Sequence, residues 1–220
     1  MSPASSLRGL GSDEIERLSA EGRVETVVRR GVVPLDGPAV VIVIGGFFRI
    51  FRNAAFVRDV TLGLATRGDV LAPGVAFGDR PAETGAEALC EGHVLLIGPD
   101  AWNRCAALEP ELNLKMAASI GRRITRLQKK LEEFSRGGVE GRIASAILDL
   151  AGDYGIPVAG GIKLEIPLSQ EDLARLAGTT RETCSSTVAD FGRRGFVRGG
   201  RLRGMVVVDR AGLAAIARFD

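Results

Sequence analysis

Hydrophobic positions along this chain follow different rhythms, and each predicts a different kind of element. Between residues 22 and 109 they come in short bursts separated by turn formers. Residues 39–44 are a continuous apolar run, Gly45 and Gly46 interrupt it, and residues 47–51 follow; this predicts a hairpin. Residues 61–65, 70–72, 87–90 and 94–97 are further strand-like pieces, divided by Arg67-Gly68-Asp69, Gly78-Asp79-Arg80-Pro81 and Gly92. Many short strands at regular spacing predict an antiparallel sandwich or roll.

From residue 111 the rhythm becomes helical. No proline follows Pro110, and Gly137-Gly138 marks the end of one long helix over 111–135. Met116, Ile120, Ile124, Leu127, Leu131 and Phe134 recur at three- and four-residue spacings, close to a heptad. Some 25 residues make a rod of roughly 37 Å. Such a stripe either packs on its own domain or pairs with a second copy, and the near-heptad spacing favours a homodimer. Residues 139–152 form a second amphipathic helix, 155–161 a loop and 164–167 a short strand. The chain thus divides into 1–109, 110–137 and 138–220.

The most informative stretch is 168–191. Ser169 and Asp172 have capping-box spacing for a first helix, with Leu173 and Leu176 facing inward and Ala174 allowing close approach. Gly178 supplies a tight turn. Thr180 caps a second helix whose first turn carries Glu182, the right sign for the helix dipole. On that helix Cys184, Val188 and Phe191 share one face, while Glu182, Ser186, Ala189 and Arg193 share the opposite one and Arg181 projects from the N-terminal edge. Two short helices joined by a glycine turn predict a helix–turn–helix, whose second helix enters the DNA major groove. The Gly/Arg-rich segment 195–208 predicts a wing, with Arg198, Arg201 and Arg203 placed to meet phosphates.

A roll, a long helix and a winged helix–turn–helix, in that order, resemble the catabolite activator (Crp/Fnr) superfamily of bacterial transcription regulators. The resemblance runs from about residue 20 to the end. It rests on Arg181-Glu182-Thr183, on the Leu-Ser-Gln-Glu-Asp-Leu-Ala run at 168–174, and on Gly141-Arg142-Ile143-Ala144. It implies an α+β fold: an N-terminal antiparallel β-roll like a cyclic-nucleotide-binding jelly roll, a long dimerisation helix and a C-terminal winged helix–turn–helix. It further implies a cytoplasmic homodimer on a palindromic duplex, with RNA polymerase as a partner. Arg181 would bond a guanine and Glu182 a cytosine amino group, which is sound donor–acceptor chemistry. Thr180, Thr183, Ser169 and Gln170 would hold phosphates. Where the family often has a third base-reading arginine this chain has Ser186, so its site should differ there.

Cyclic-nucleotide binders of the superfamily carry a Gly-Glu pair for the ribose and an Arg-Ser/Thr pair for the phosphate. Here no Gly-Glu follows Asp69, and Glu83, not arginine, precedes Thr84. A carboxylate there repels a cyclic phosphate. Leu127 and Gln128 stand where binders offer polar groups to the base. The pocket therefore reads as altered and cAMP is not expected; the alternative is gating by another small molecule, haem or cysteine oxidation.

Composition narrows these options. The three cysteines, at 90, 105 and 184, make no disulfide framework or iron–sulfur ligand set, and point to a reducing compartment. His93 is the only histidine, so no multi-histidine metal site or two-histidine mechanism exists. No cofactor or metal is expected. Cys184, beside the base-reading residues, is a core residue or else a redox switch. Trp102 and Tyr154 read as packing residues. Neither a nucleophile–histidine arrangement nor a phosphate loop suggests an enzyme. No apolar run of 18 residues suggests a membrane span. The net charge of +2 hides an uneven distribution. Residues 1–110 hold 11 basic and 14 acidic side chains, residues 111–136 hold 7 and 3, and residues 137–220 hold 11 and 10. Of the basic residues 25 are arginine, which suits planar contact to phosphate and guanine.

Overall fold

A computed structural model of the chain describes residues 9–37, 39–54, 57–78, 83–136, 138–199 and 202–217. It divides into two compact units, Met1–Leu127 and Gln128–Asp220. The division falls inside the long helix.

In the first unit, helix α1 (Ser12–Ser19) precedes strands β1 (Arg23–Val27), β2 (Val32–Pro34), β3 (Val40–Gly45), β4 (Phe47–Ala54) and β5 (Val57–Thr66). A 3-10 turn (Pro73–Phe77), β6 (Thr84–Ala88), β7 (Gly92–Ile97), α2 (Pro99–Leu108) and the start of α3 (Glu111–Arg136) complete it. The strands form two antiparallel sheets, ordered β1-β7-β3 and β2-β6-β4-β5. Their buried side chains, among them Ile42, Phe48, Leu95 and Ile97, form one core with Leu71 and with Trp102 of α2.

The β3–β4 segment is not the hairpin the apolar runs predict. β3 pairs with β7 and β4 with β5 and β6, so the glycine pair carries the chain from one sheet to the other. Gly46 has φ +86°, and a Cβ there would lie 2.7 Å from the Gly92 Cα. Only glycine permits that backbone and that crossing.

α3 has apolar side chains on more than one face. Leu112 and Met116 are buried in the core of the β unit and Ile120 packs against it. Met116 and Ile120, expected on a seam with a second copy, therefore belong to the chain's own interior. The large exposed apolar residues of α3 are Leu114, Ile124, Leu131 and Phe134, with Leu127 half-buried.

Arg49 on β4 is 2% exposed. Its guanidinium donates to Glu87 on β6, to Asp59 (2.6 Å) and to Thr61 (3.2 Å), and it lies 4.8 Å from the Phe51 ring centre. Burial pushes the Glu87 carboxyl up, but hydrogen bonds from Arg30 and Arg49 outweigh it and hold the carboxyl below its ordinary range. Breaking a buried pair leaves an uncompensated charge, so Arg49→Met should cost about 3–5 kcal/mol in urea unfolding at pH 7. A carboxyl with a lowered folded-state pKa contributes stability above the ordinary carboxylate range and loses it as pH falls through the lowered value. The gap between wild type and variant should therefore narrow in acid.

In the second unit, α4 (Val139–Tyr154) is followed by β8 (Gly155–Val158) and β9 (Gly161–Leu164). They form a hairpin where the sequence suggests a loop over 155–161, and β9 ends at Leu164, where a strand over 164–167 was expected to begin. Helices α5 (Gln170–Ala177) and α6 (Arg181–Arg193), strands β10 (Val197–Arg198) and β11 (Val206–Val207) and helix α7 (Arg210–Ala217) complete the unit. The sheet order is β10-β11-β9-β8. Ile143, Ile147, Leu173, Phe191, Met205 and Leu213 are fully buried. Among the described residues no helix is long and apolar enough to cross a membrane.

Candidate nucleic-acid interface

The helix–turn–helix is fixed at both helix starts by the residues its sequence pattern singles out. Ser169 caps α5: its hydroxyl accepts from the Asp172 N–H (3.2 Å) and donates to the Asp172 carboxylate (2.6 Å). That carboxylate also accepts the Ser169 N–H (2.8 Å), closing the capping box. The single hydroxyl proton of Ser169 is thus directed to Asp172. α5 ends at Gly178, in the left-handed region at φ +61°. The Thr179 N–H reaches the Ala174 carbonyl (2.9 Å) across this turn, as in a Schellman closure.

α6 begins one residue after Thr180, whose hydroxyl accepts from the Thr183 N–H (3.2 Å). The Thr180 and Thr183 hydroxyls lie 3.1 Å apart, so one proton serves the other and the second stays available at the helix N-terminus. Cys184, Val188 and Phe191 are buried. Arg181, Glu182, Thr183, Ser186, Ala189 and Arg193 are exposed, so the predicted division of faces holds. Arg181 forms no hydrogen bond or ion pair among the described residues. Ser186 donates to the Thr183 carbonyl (2.9 Å), leaving acceptor lone pairs toward solvent. Gln170, the first residue of α5, is half-buried.

β10 and β11 pair antiparallel beyond α6 and form the wing. Arg198 and Arg203 are exposed on it; Arg201 lies outside the described residues. Not every arginine near α6 faces outward to a ligand. Arg193 pairs with Asp190 (2.9 Å), and Arg194 pairs with Glu140 (2.6 Å) and Asp190 (3.3 Å). These pairings come from residues 3 to 54 positions apart, and a count of arginines does not reveal the longer ones.

Two expected site residues have other tasks. Phe134, expected on a dimer seam, has its ring against Gly178, inside the same unit. Cys184 is fully buried and its thiol is pushed up to about 11 by that burial. The thiolate is the reactive form, so Cys184 is a core residue and a poor redox switch. In brief alkylation of the native protein at pH 8, mass mapping should find Cys184 unmodified after the half-exposed Cys90 has reacted; equal labelling would contradict the burial. The His93 Nδ1 lies 3.2 Å from the Thr26 hydroxyl. No group of three potential metal ligands occurs among the described residues.

A two-sheet β unit, a long helix and a winged helix–turn–helix with an exposed Arg-Glu edge define a DNA-binding regulator. Residues 141–216 match the Crp-like helix-turn-helix domain. The chain is 29% identical over 162 residues to a CRP-like cAMP-activated global transcriptional regulator of Mycobacterium tuberculosis, covering 74% of this chain and 72% of that protein. It is 21% identical over 210 residues to the anaerobic regulatory protein of Bacillus subtilis, covering 94% and 83%. A CooA mutant from Carboxydothermus hydrogenoformans superposes with a TM-score of 0.78 at 21% identity, over 91% of this chain and 90% of that one. FixK2 from Bradyrhizobium japonicum superposes with a TM-score of 0.75 at 19% identity, over 89% and 96%. Residues 141–216 thus carry a Crp-like helix-turn-helix domain, and along most of its length the chain is similar to transcription regulators of the Crp/Fnr kind.

Proposed function

We propose that the chain is a homodimeric, non-enzymatic, cytoplasmic regulator that reads a palindromic duplex through α6 and acts on RNA polymerase, and that cAMP is not its effector. The observation that carries this reading is the exposed Arg181-Glu182 pair at the capped N-terminus of α6, above a fully buried Cys184–Val188–Phe191 face. Arg181 offers two donors to guanine O6 and N7, and Glu182 accepts from a cytosine amino group. Gln170, Thr180, Thr183, Arg198, Arg201 and Arg203 contact phosphates. Ser186 reads its base pair less tightly than an arginine would.

Support for the dimer comes from a row of exposed positions on α3: Leu114, Ala117, Gly121, Ile124, Gln128 and Leu131 alternate at three and four residues. This row keeps Ile124 and Leu131 from the sequence-predicted seam and replaces its other members. Leu114, Ile124 and Leu131 are 64%, 50% and 71% exposed in the single chain, and a Cβ at Gly121 meets nothing. A second copy of α3 is the partner that a heptad of this kind fits.

Arg181→Ala should weaken binding to the selected site by about 1–3 kcal/mol and relax one base position in each half-site. Equal weakening on all sequences would make Arg181 a phosphate contact only. Paired Ile124→Glu and Leu131→Glu should yield a monomer by light scattering, with half-site binding retained.

The cAMP exclusion rests on Glu83, exposed directly before Thr84, and on Pro73, which opens a 3-10 turn in the segment where a Gly-Glu pair is absent. Arg80, the arginine near in sequence that could take a phosphate in place of the one missing before Thr84, lies outside the described residues. Millimolar cAMP should leave affinity for the selected duplex unchanged. Binding is measured first with no ligand, where tight binding excludes a required effector. A cAMP-dependent gain in affinity would overturn this part of the reading.

A further inference from the structure

The last turns of α3 are fastened to the DNA-binding unit by contacts that the fold alone does not require. Lys129 pairs with Asp149 of α4, and the Ser145 hydroxyl of α4 donates to Glu133. One position further on, the Phe134 ring lies against Gly178 at the α5–α6 turn: a Cβ on Gly178 would sit 2.3 Å from the ring's far edge. Arg142 of α4 closes the group from the other side. Its guanidinium lies 4.9 Å from the Phe134 ring centre and donates to the carbonyls of Ala177 (2.9 Å) and Gly178 (3.4 Å). These carbonyls belong to the end of α5 and are not used by the Thr179 and Gly178 N–H groups that close the helix. A cation at a helix C-terminus also suits the helix dipole.

We propose that Phe134 and Arg142 are positioning residues for DNA recognition: Phe134 keys the end of α3 into the Cβ-less turn at Gly178, and Arg142 locks the ring and the α5 carbonyls together, so that residues 128–136 fix the angle of α6. The proposal rests on the reading of α6 as the recognition helix and α3 as the seam between two copies. Under that reading a palindrome is matched only when both recognition helices are held at one spacing and pitch. A joint free to swivel lets each α6 bind its half-site but accommodates wrong spacings nearly as well as the right one. Phe134 is 47% exposed and its removal leaves no deep cavity, so its effect appears in DNA geometry more than in stability.

The test uses the full chain on the selected palindrome and on the same palindrome with one base pair inserted between half-sites. Wild type should bind the inserted site at least about tenfold more weakly, a loss comparable to one mismatched base pair. Phe134→Ala should reduce that discrimination to about threefold or less, with thermal stability and affinity for random DNA little changed, because no charge is altered. Gly178→Ala should also lower discrimination, through its clash with the ring, and should have a much smaller effect when added to Phe134→Ala, since residues in contact couple. A wild-type chain indifferent to spacing would overturn the palindrome reading on which the key depends. A spacing-sensitive wild type with an equally sensitive Phe134→Ala, or additive effects of the two substitutions, would overturn the key while leaving that reading standing.

Discussion

Helix α3 must satisfy apolar residues on more than one of its faces, and each of the two units uses a different part of it. Leu112, Met116 and Ile120 close the core of the β unit. Leu114, Ile124 and Leu131 stand outside it. Phe134 turns to the α5–α6 turn. A helix with one apolar stripe could be absorbed by its own domain, leaving nothing to pair with. At about 100° of turn per residue, Met116, Ile120, Leu127 and Phe134 fall within about 40° of one another, while Ile124 and Leu131 lie about 60–80° round from Met116, so one run of three- and four-residue spacings serves two faces.

That division between two faces explains which parts of the site the sequence could reveal. Local chemistry was legible: the Ser169–Asp172 box, the Thr180 cap, the left-handed Gly178 and the buried Cys184–Val188–Phe191 face all depend on residues within a few positions of one another. Partner choice was not. Met116, Ile120 and Phe134 share spacing with Ile124 and Leu131, and only the surrounding chain separates those that face the interior from those that face outward. The β3–β4 segment failed for a related reason. Two apolar runs around glycines describe a hairpin and a crossing between sheets equally well, and Gly92, far along the chain, decides between them. The 155–161 segment was read as a loop because Gly155, Pro157, Gly160 and Gly161 are turn formers, yet β11 of the wing provides the edge on which β9 pairs.

Arginines show the same contrast between local and distant information. Arg49 and Arg181 are the same residue type on unlike fates. Arg49 is buried among Glu87, Asp59 and Thr61 and orders a sheet face. Arg181 stands exposed at a helix start, its donors directed by no carboxylate among the described residues. A guanidinium that is already desolvated and paired cannot also be offered to a base, so composition overstates the basic surface by every such pair.

Residues 167–210 hold 8 basic and 5 acidic side chains, but Asp190 engages both Arg193 and Arg194. Long-range attraction to phosphate is correspondingly modest, and binding to random sequence should be weak, because that binding scales with the phosphates neutralised. Specific binding must then come from few base contacts made at the correct place. On the proposed reading, with Ser186 where a third arginine could stand, each α6 has little contact energy to spare for misalignment. A regulator of this composition gains more from rigid placement of its recognition helices than from further charge. On the proposed reading, rigidity of that kind would come from packing at the foot of α3, where a phenyl ring lies on a glycine turn and a guanidinium spans two carbonyls.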